Sequence, residues 1–112
     1  MTQPKRTAVY YLDSNLGNEP AKEWLDSLND KMAKVKIMAR IARAEMGNFG
    51  QWKSVGNGVL ELKINYGPGY RVNYALVGSE IILLLVGGDK STQSKDIARA
   101  KMYLKKHRNE EK

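Results

Sequence analysis

Residues 58–101, GVLELKINYGPGYRVNYALVGSEIILLLVGGDKSTQSKDIARAK, decide the fold of this chain. Two segments alternate between apolar and other side chains, Val59 to Tyr66 and Tyr70 to Leu76, and the loop Gly67-Pro68-Gly69 joins them. Such alternation is typical of strands with one covered face, and glycines in the loop tolerate positive φ. After a second turn, Ile81 to Val86 is apolar at every position, which predicts a strand buried on both faces. The sequence therefore predicts three consecutive strands in an antiparallel meander.

A helix is predicted after the third of these strands. The strand is expected to break at Gly87-Gly88, and the polar, basic sequence that follows predicts a helix from about Thr92 to His107. Ser91 or Thr92 is expected to cap it, and Asp96 in the first turn suits the positive end of the helix dipole. The free N–H groups of the same turn can also hold a phosphate, so this joint is either a capped turn or an anion site.

The segment before residue 58 predicts a first strand, two helices and one further short strand. Residues 6–12 read as the first strand, and residues 13–19 form a turn-rich connection. Pro20 suits the first position of a helix over residues 20–29, and a second helix is expected from about 31 to 46. Residues 51–55 predict a short strand. The order is β-α-α-β-β-β-α, an α+β single domain over residues 1–112 with a small antiparallel sheet, a helical hairpin and a C-terminal helix.

The second helix has an apolar stripe and many cations. The predicted stripe is Val35, Met38, Ala42 and Met46, with Ile37 and Ile41 beside it. Five cations occupy much of the remaining surface: Lys31, Lys34, Lys36, Arg40 and Arg43. They are read either as a solvated outer face or as a surface for an acidic partner.

Composition narrows the functional classes. The 112 residues contain no cysteine and one histidine, His107, which excludes disulfides and thiolate zinc sites and leaves few nitrogen ligands for a metal. No segment resembles a signal peptide or a membrane span, so we expect a soluble, cytoplasmic protein. The formal net charge is +7, which indicates either a solvated basic surface or a polyanionic partner.

The two alternating strands are expected to present one polar face. If the loop pairs Tyr66 with Tyr70, Asn65 lies opposite Arg71, and Lys63 lies opposite Asn73. The predicted polar face comprises Glu61, Lys63, Asn65, Arg71, Asn73 and Ala75. An antiparallel sheet can expose such a face to water, but the planar fork of arginine also suits phosphate. The face is therefore either solvated or an anion site.

The meander is expected to bring Lys90 beside Arg71. The surrounding sequence is not a Walker A loop, because Asp89 and not glycine precedes the lysine. The G-x-G pairs at 56/58 and 67/69 lie in predicted hairpin turns, so they do not form a dinucleotide-binding fingerprint.

Three segments together resemble the RelE/ParE superfamily of bacterial toxins, most closely its HigB-like branch of addiction-module killer proteins. LELKI resembles the family's E-L-[RK] strand, YGPGYRVNY its G-x-G-Y-R hairpin, and LLLVGGDKSTQSKDI its strand, glycine turn and helix. The resemblance covers roughly residues 51–107, and the β-α-α start fits the same layout.

This resemblance implies a type II toxin held inactive by a cognate antitoxin, which is expected to be a small helix-turn-helix protein. Toxins of the RelE and HigB branches enter the ribosome and cut mRNA without a metal or cofactor. The RNA 2′-hydroxyl attacks the adjacent phosphate and leaves a 2′,3′-cyclic phosphate and a 5′-hydroxyl. Two alternatives remain open, a ParE-like gyrase inhibitor without enzymatic activity and a basic nucleic-acid-binding module.

The resemblance also implies roles for individual residues. Arg71 would bind the scissile phosphate, Lys63 would stabilise charge, and Lys90 would stabilise charge or assist the leaving oxygen. Asp89, Asp96 or a lysine of lowered pKa would act as general base. The remaining RNA-contact candidates are Lys53, Asn65, Asn73, Lys95 and Arg99.

Overall fold

The computed structural model describes residues 5–110. It confirms the predicted α+β layout, except that four strands and not three lie between the second and the last helix. The strands are β1 (Thr7–Tyr10), β2 (Trp52–Gly56), β3 (Val59–Ile64), β4 (Tyr70–Val77) and β5 (Ile81–Asp89). The helices are α1 (Pro20–Ser27), α2 (Lys31–Glu45) and α3 (Gln93–Glu110), and a 3₁₀ turn over Lys90–Thr92 leads into α3. The predicted α+β class is therefore correct.

The sheet is mixed and not wholly antiparallel as predicted. Its strand order is β1-β5-β4-β3-β2, and the meander from β2 to β5 is antiparallel. β1 instead pairs with β5 in parallel, with Thr7 opposite Ile81 and Tyr10 opposite Leu84. The two intervening helices and the meander supply the long connection that a parallel pair requires. β5 is consequently an inner strand, which explains its continuous apolar sequence.

Helices cover both faces of the sheet. α1 and α2 pack on one face, where Leu62, Val72 and Leu84 belong to the buried core. α3 packs on the other face, where Ala100 and Leu104 meet a second core. The second core also contains Val59, Ala75, Leu83, Leu85 and Val86. The predicted polar face is therefore largely covered, which excludes a fully solvated face.

Strand β5 continues through Gly87 and Gly88 and does not break there as predicted. Gly87 pairs with Val72, and Gly88 pairs with Arg71. A Cβ atom on Gly87 would overlap the ring of Trp24 in α1, and one on Gly88 would overlap the Asp96 carboxylate in α3. Successive strand residues face opposite sides, so each glycine admits a helix from one side of the sheet. The glycines permit close packing and do not form a turn.

The β3–β4 register differs from the prediction by two positions. Ile64 pairs with Tyr70, and Lys63 pairs directly with Arg71. The connecting loop is longer than predicted because β3 ends at Ile64, and the N–H of Tyr66 donates to the carbonyl of Ile64 at 3.0 Å. A shift of two leaves every side chain on its predicted face. It brings the two cations closer than expected and removes Asn65 from its place opposite Arg71.

The apolar stripe predicted for α2 is not the buried one. Ala33, Ile37, Ile41 and Ala44 face the core. Val35, Met38 and Met46 are instead 62%, 46% and 59% exposed. Both sides of this helix carry apolar side chains, and only contact with the sheet decides which side is buried.

Candidate functional site

A cavity of about 280 Å³ opens beside the paired cations of β3 and β4. Lys63 on β3 and Arg71 on β4 are direct neighbours, and Gly88 lies next to Arg71 on β5. The lining residues are Gln51, Trp52, Lys53, Glu61, Lys63 and Arg71. The predicted pair Lys63 and Arg71 thus shares one concave site, with Lys53 at its side.

Glu61 is the buried anion of this site. It is 2% exposed, and its Oε1 lies 3.7 Å from Nε of Arg71 and 3.9 Å from Nζ of Lys53. Nε2 of Gln93, in the first turn of α3, donates to the same carboxylate at 3.1 Å. Sequence reasoning placed Glu61 on the polar face but gave it no role. Glu61 lies opposite Lys53 on β2 and opposite Asn73 on β4, which makes Arg71 its diagonal neighbour. This arrangement was the signal that could have identified it, but it depends on the register and hence on the loop length.

Arg71 is held from two sides. One guanidinium nitrogen, Nη1, donates to the carbonyl oxygen of Gly69 at 2.8 Å, and Nε faces Glu61. The residue is 7% exposed, so its charge is positioned by the protein and not by water. An arginine fixed in this way offers its remaining N–H groups to an anion in a defined direction.

Lys90 lies on the other side of Arg71, as predicted. A Cβ atom built on Gly69 would be 3.4 Å from Nη1 of Arg71 and 3.9 Å from Cβ of Lys90. Lys90 is exposed and begins the 3₁₀ turn. It does not line the cavity.

Asp89, and not Ser91 or Thr92, caps the turn that carries Lys90. Its Oδ1 accepts from the N–H of Ser91 at 2.8 Å, and Thr92 Oγ1 accepts in return from the N–H of Asp89 at 3.4 Å. Hydrogen bonding from the Ser91 side chain is the main cause that lowers the pKa of Asp89, and the Arg71 charge lowers it further. A carboxylate with a lowered pKa is a weaker base, so this geometry favours a structural role for Asp89.

Asp96 is buried against the sheet at 5% exposure. It accepts from Oγ1 of Thr92 at 2.5 Å, and Nη1 of Arg99 lies 3.9 Å away. Its carboxylate packs against Gly88 and does not line the cavity. It links the start of α3 to β5.

Several predicted RNA-contact residues lie outside the cavity. Asn73 is 1% exposed beneath α3. Asn65 donates to Oε1 of Gln51 at 2.7 Å and lines a different cleft beside α2. Arg99 donates to the hydroxyl of Tyr103, whose ring stacks on Tyr11, so its side of α3 faces away from β2 and β3.

Lys95 lies one helical turn before Arg99, on the same side of α3 and away from the cavity.

Trp52, which was not predicted as a site residue, is 53% exposed and lines the cavity. An exposed aromatic ring beside cations can stack on a nucleotide base. Its position on a short edge strand gave no signal in the sequence.

A larger cavity of about 550 Å³ lies near the C-terminal end of α3. Its lining comprises Asn57, Lys101, Met102, Lys105, Arg108 and Asn109. Among the described residues, neither a carboxylate nor a predicted site residue lines this cavity. The smaller cavity therefore combines more of the groups that phosphate chemistry requires.

Within residues 5–110, no group of three or more His, Cys, Asp or Glu side chains is arranged to hold a metal ion. No helix in the same range is both long and apolar enough to cross a membrane.

The architecture described above is that of a small RelE-like α+β protein. Residues 23–108 match the family described as Phage derived protein Gp49-like (DUF891). The chain therefore belongs to this Gp49-like family, a phage-derived, toxin-like family of the addiction-module killer kind. A Haemophilus influenzae protein with the printed name "Uncharacterized protein" is 52% identical over 79 residues, which cover 70% of this chain and 80% of that protein.

Proposed function

We propose that this protein is the toxin of a type II toxin–antitoxin system, of the HigB-like branch, and that it cuts mRNA on the ribosome in the cytoplasm. The observation that carries the proposal is the direct pairing of Lys63 with Arg71 beside a cavity whose buried wall is Glu61. Membership of a toxin-like family supports it independently. A cognate antitoxin is the expected protein partner.

The proposed reaction needs positive charge over one phosphate. The 2′-oxygen of the RNA loses its proton and bonds to the adjacent phosphorus. The bond from phosphorus to the 5′-oxygen breaks, and that oxygen takes up a proton. The products are a 2′,3′-cyclic phosphate and a 5′-hydroxyl. Negative charge accumulates on the non-bridging oxygens in the transition state, so cations placed there lower the barrier.

Each cation has a separate proposed role. Arg71 binds the non-bridging oxygens, because its orientation is fixed before RNA arrives. Lys63 adds a second charge from the neighbouring strand, and Lys90 approaches the leaving oxygen from the edge. Lys53 is largely exposed and contacts the RNA backbone. Trp52 stacks on a base next to the cut.

Glu61 is proposed as a positioning residue and not as a group that contacts RNA. It is 2% exposed and engages Arg71, Lys53 and Gln93. Asp89 and Asp96 are proposed to support the turn that carries Lys90, because both carboxylates accept hydrogen bonds within that turn. Proton transfer then rests on another group or on water in the assembled complex.

The test is cleavage of a defined mRNA by purified protein on programmed ribosomes. We expect cleavage that requires the ribosome, with a cyclic phosphate on the upstream fragment and a 5′-hydroxyl on the downstream fragment. Lys63→Ala should lower the rate by about 100-fold, as for loss of one charge-stabilising donor. Lys105→Ala removes the same charge from an exposed site on α3 and should cleave at the normal rate.

Two results would overturn the proposal. Intact mRNA together with DNA breakage and filamentation after induction would favour gyrase inhibition. Binding of RNA without cleavage, at equal strength for both lysine variants, would favour a nucleic-acid-binding module.

A further inference from the structure

The outer face of α2 is apolar although it faces solvent. Met32, Val35, Met38 and Met46 are 53%, 62%, 46% and 59% exposed, and exposed Ala39 and Ala42 lie between them. Their spacing of three or four residues places them on one side of the helix, opposite the buried Ile37. A helix with apolar side chains on both sides is normally covered on both sides. A continuous apolar stripe in water is typical of a docking surface.

The cations around this stripe lack acidic partners. Within residues 5–110, Lys31, Lys36 and Arg43 form no ion pair with a carboxylate. The one acidic residue of α2, Glu45, is already engaged, because its Oε2 accepts from the N–H of Ala8 at 2.8 Å. The stripe is therefore bordered by positive charge that the described chain does not neutralise.

A cleft of about 370 Å³ lies along one border of the stripe. Its lining comprises Lys36, Ala39, Arg40, Arg43, Ile64, Asn65 and Tyr66, and it includes three cations but no carboxylate among the described residues. Arg40 is fixed in place, because Nη1 donates to the carbonyl of Lys63 and Nη2 donates to that of Phe49 at 2.8 Å. Lys36 lies over the ring of Tyr66 at 5.2 Å. The cleft thus offers ordered cations to a carboxylate.

We propose that this face of α2 binds an acidic amphipathic helix of a protein partner. The apolar side of the partner helix packs on the methionine and valine side chains, and its carboxylates pair with Lys36 and Arg43 at the cleft. Methionine side chains adapt their shape to an apolar partner, and helices commonly dock in this way. The role of this partner rests on the proposed function: if the protein is a toxin, the acidic helix belongs to its inhibitor. The binding surface itself does not depend on that function.

Charge and polarity argue against the other occupants. A second copy of this chain, packed stripe against stripe, would bring the same unpaired cations together. RNA would pair with the cations, but its charged phosphate backbone would not bury the four exposed apolar side chains. An acidic helix satisfies both features at once.

The docking face and the cavity lie on opposite sides of the sheet. α2 packs on the face of Leu62 and Val72, whereas Glu61 lies on the face that α3 covers. A partner helix can therefore bind α2 while the cavity stays open. The two surfaces approach each other at the backbone of Lys63, to which Arg40 donates.

The test uses the full chain and a synthetic probe, an amphipathic peptide of about 20 residues, long enough to form a helix. The peptide carries leucine on one side and glutamate on both borders, and a second peptide has lysine in place of each glutamate. Binding is measured by fluorescence anisotropy. We expect the acidic peptide to bind, and the basic peptide to bind at least about tenfold more weakly.

Variants locate the contact. Val35→Ser with Met38→Gln, and separately Arg43→Glu, should each weaken binding of the acidic peptide by about tenfold or more, since each removes part of the central contact. Met102→Gln changes an exposed methionine of α3 and should bind normally. All four positions are exposed, so circular dichroism and melting should match the parent protein.

Other outcomes reject the proposal. Equal binding by the stripe variants and the Met102 control places the contact elsewhere. A dimer in light scattering that Val35→Ser with Met38→Gln dissociates assigns the face to a second copy, and an RNA oligonucleotide that displaces the peptide assigns it to RNA. Ribosome-dependent cleavage by the stripe variants is measured in parallel. Loss of peptide binding with normal cleavage separates this inference from the proposed nuclease function.

Discussion

The carboxylate of Glu61 lies 3.7 Å from Nε of Arg71, and both side chains are less than 10% exposed. Lys53 approaches the same carboxylate from solvent, with its side chain 61% exposed. A buried charge is stable only when it is paired, so each member of the pair constrains the other. The same contact therefore stabilises the sheet and sets the direction of the arginine at the cavity.

Glu61→Gln should destabilise the protein. The glutamine keeps the size of the side chain but leaves the buried Arg71 charge without its nearest anion. We expect the free energy of unfolding, measured with urea, to fall by about 3 kcal/mol. Glu80→Gln removes the same charge from an exposed residue before β5 and should change it by less than about 0.5 kcal/mol. Equal stability of the two variants would show that Arg71 does not depend on Glu61.

Arg71→Lys should separate charge from geometry. Lysine keeps the positive charge but cannot bind Gly69, Glu61 and a phosphate with one planar group. We expect the rate of mRNA cleavage to fall by about 100-fold. The free energy of unfolding should fall less than in Arg71→Ala, because Glu61 keeps a nearby cation. Full cleavage by Arg71→Lys would mean that charge alone is sufficient at this position.

Gly88→Ala should disturb the junction of β5 and α3. The added Cβ atom would overlap Asp96 and approach Oγ1 of Thr92 to 2.7 Å, so the start of α3 must move. Such overpacking is expected to cost about 3 kcal/mol, measured as a change in unfolding free energy. Gly78→Ala meets no atom within 4 Å but has φ of +60°, so it should cost only about 1 kcal/mol from backbone strain. A larger loss in Gly78→Ala than in Gly88→Ala would contradict the close packing described at β5.

Asp89→Asn should show whether this carboxylate caps a turn or transfers a proton. Asparagine is an equally good cap, so stability at neutral pH should be unchanged. Because the native pKa of Asp89 is lowered, its contribution to stability is present above about pH 4 and is lost as the pH falls through the native pKa. Asp89→Asn should therefore lose less stability on acidification than the parent protein in urea titrations.

Cleavage by Asp89→Asn provides the second readout. A capping role predicts a normal rate on programmed ribosomes. Loss of a general base would lower the rate by about 100-fold or more. A rate loss of this size together with normal stability would show that Asp89 acts as the general base.

The sequence was sufficient for the elements but not for all of their contacts. Period-two alternation identified β3 and β4, and the apolar run identified β5, because these patterns reflect burial of each strand face. The predicted meander also placed Lys63, Arg71 and Lys90 close together. The sequence failed for Asn65 because the end of β3, and hence the register, depends on hydrogen bonds in the loop. It failed for the α2 stripe because both sides of that helix are apolar.

The succession of strands and helices, the presence of Lys63 and Arg71 on one face of the sheet and the positive charge were determined by the sequence alone, since each follows from local pattern and composition. The tertiary structure decided the register, the parallel pairing of β1, the burial of Glu61 and the exposed side of α2. These features depend on which surfaces meet across the sheet. Residues far apart in the chain can form alternative contacts, and only the tertiary packing determines which of these contacts are made.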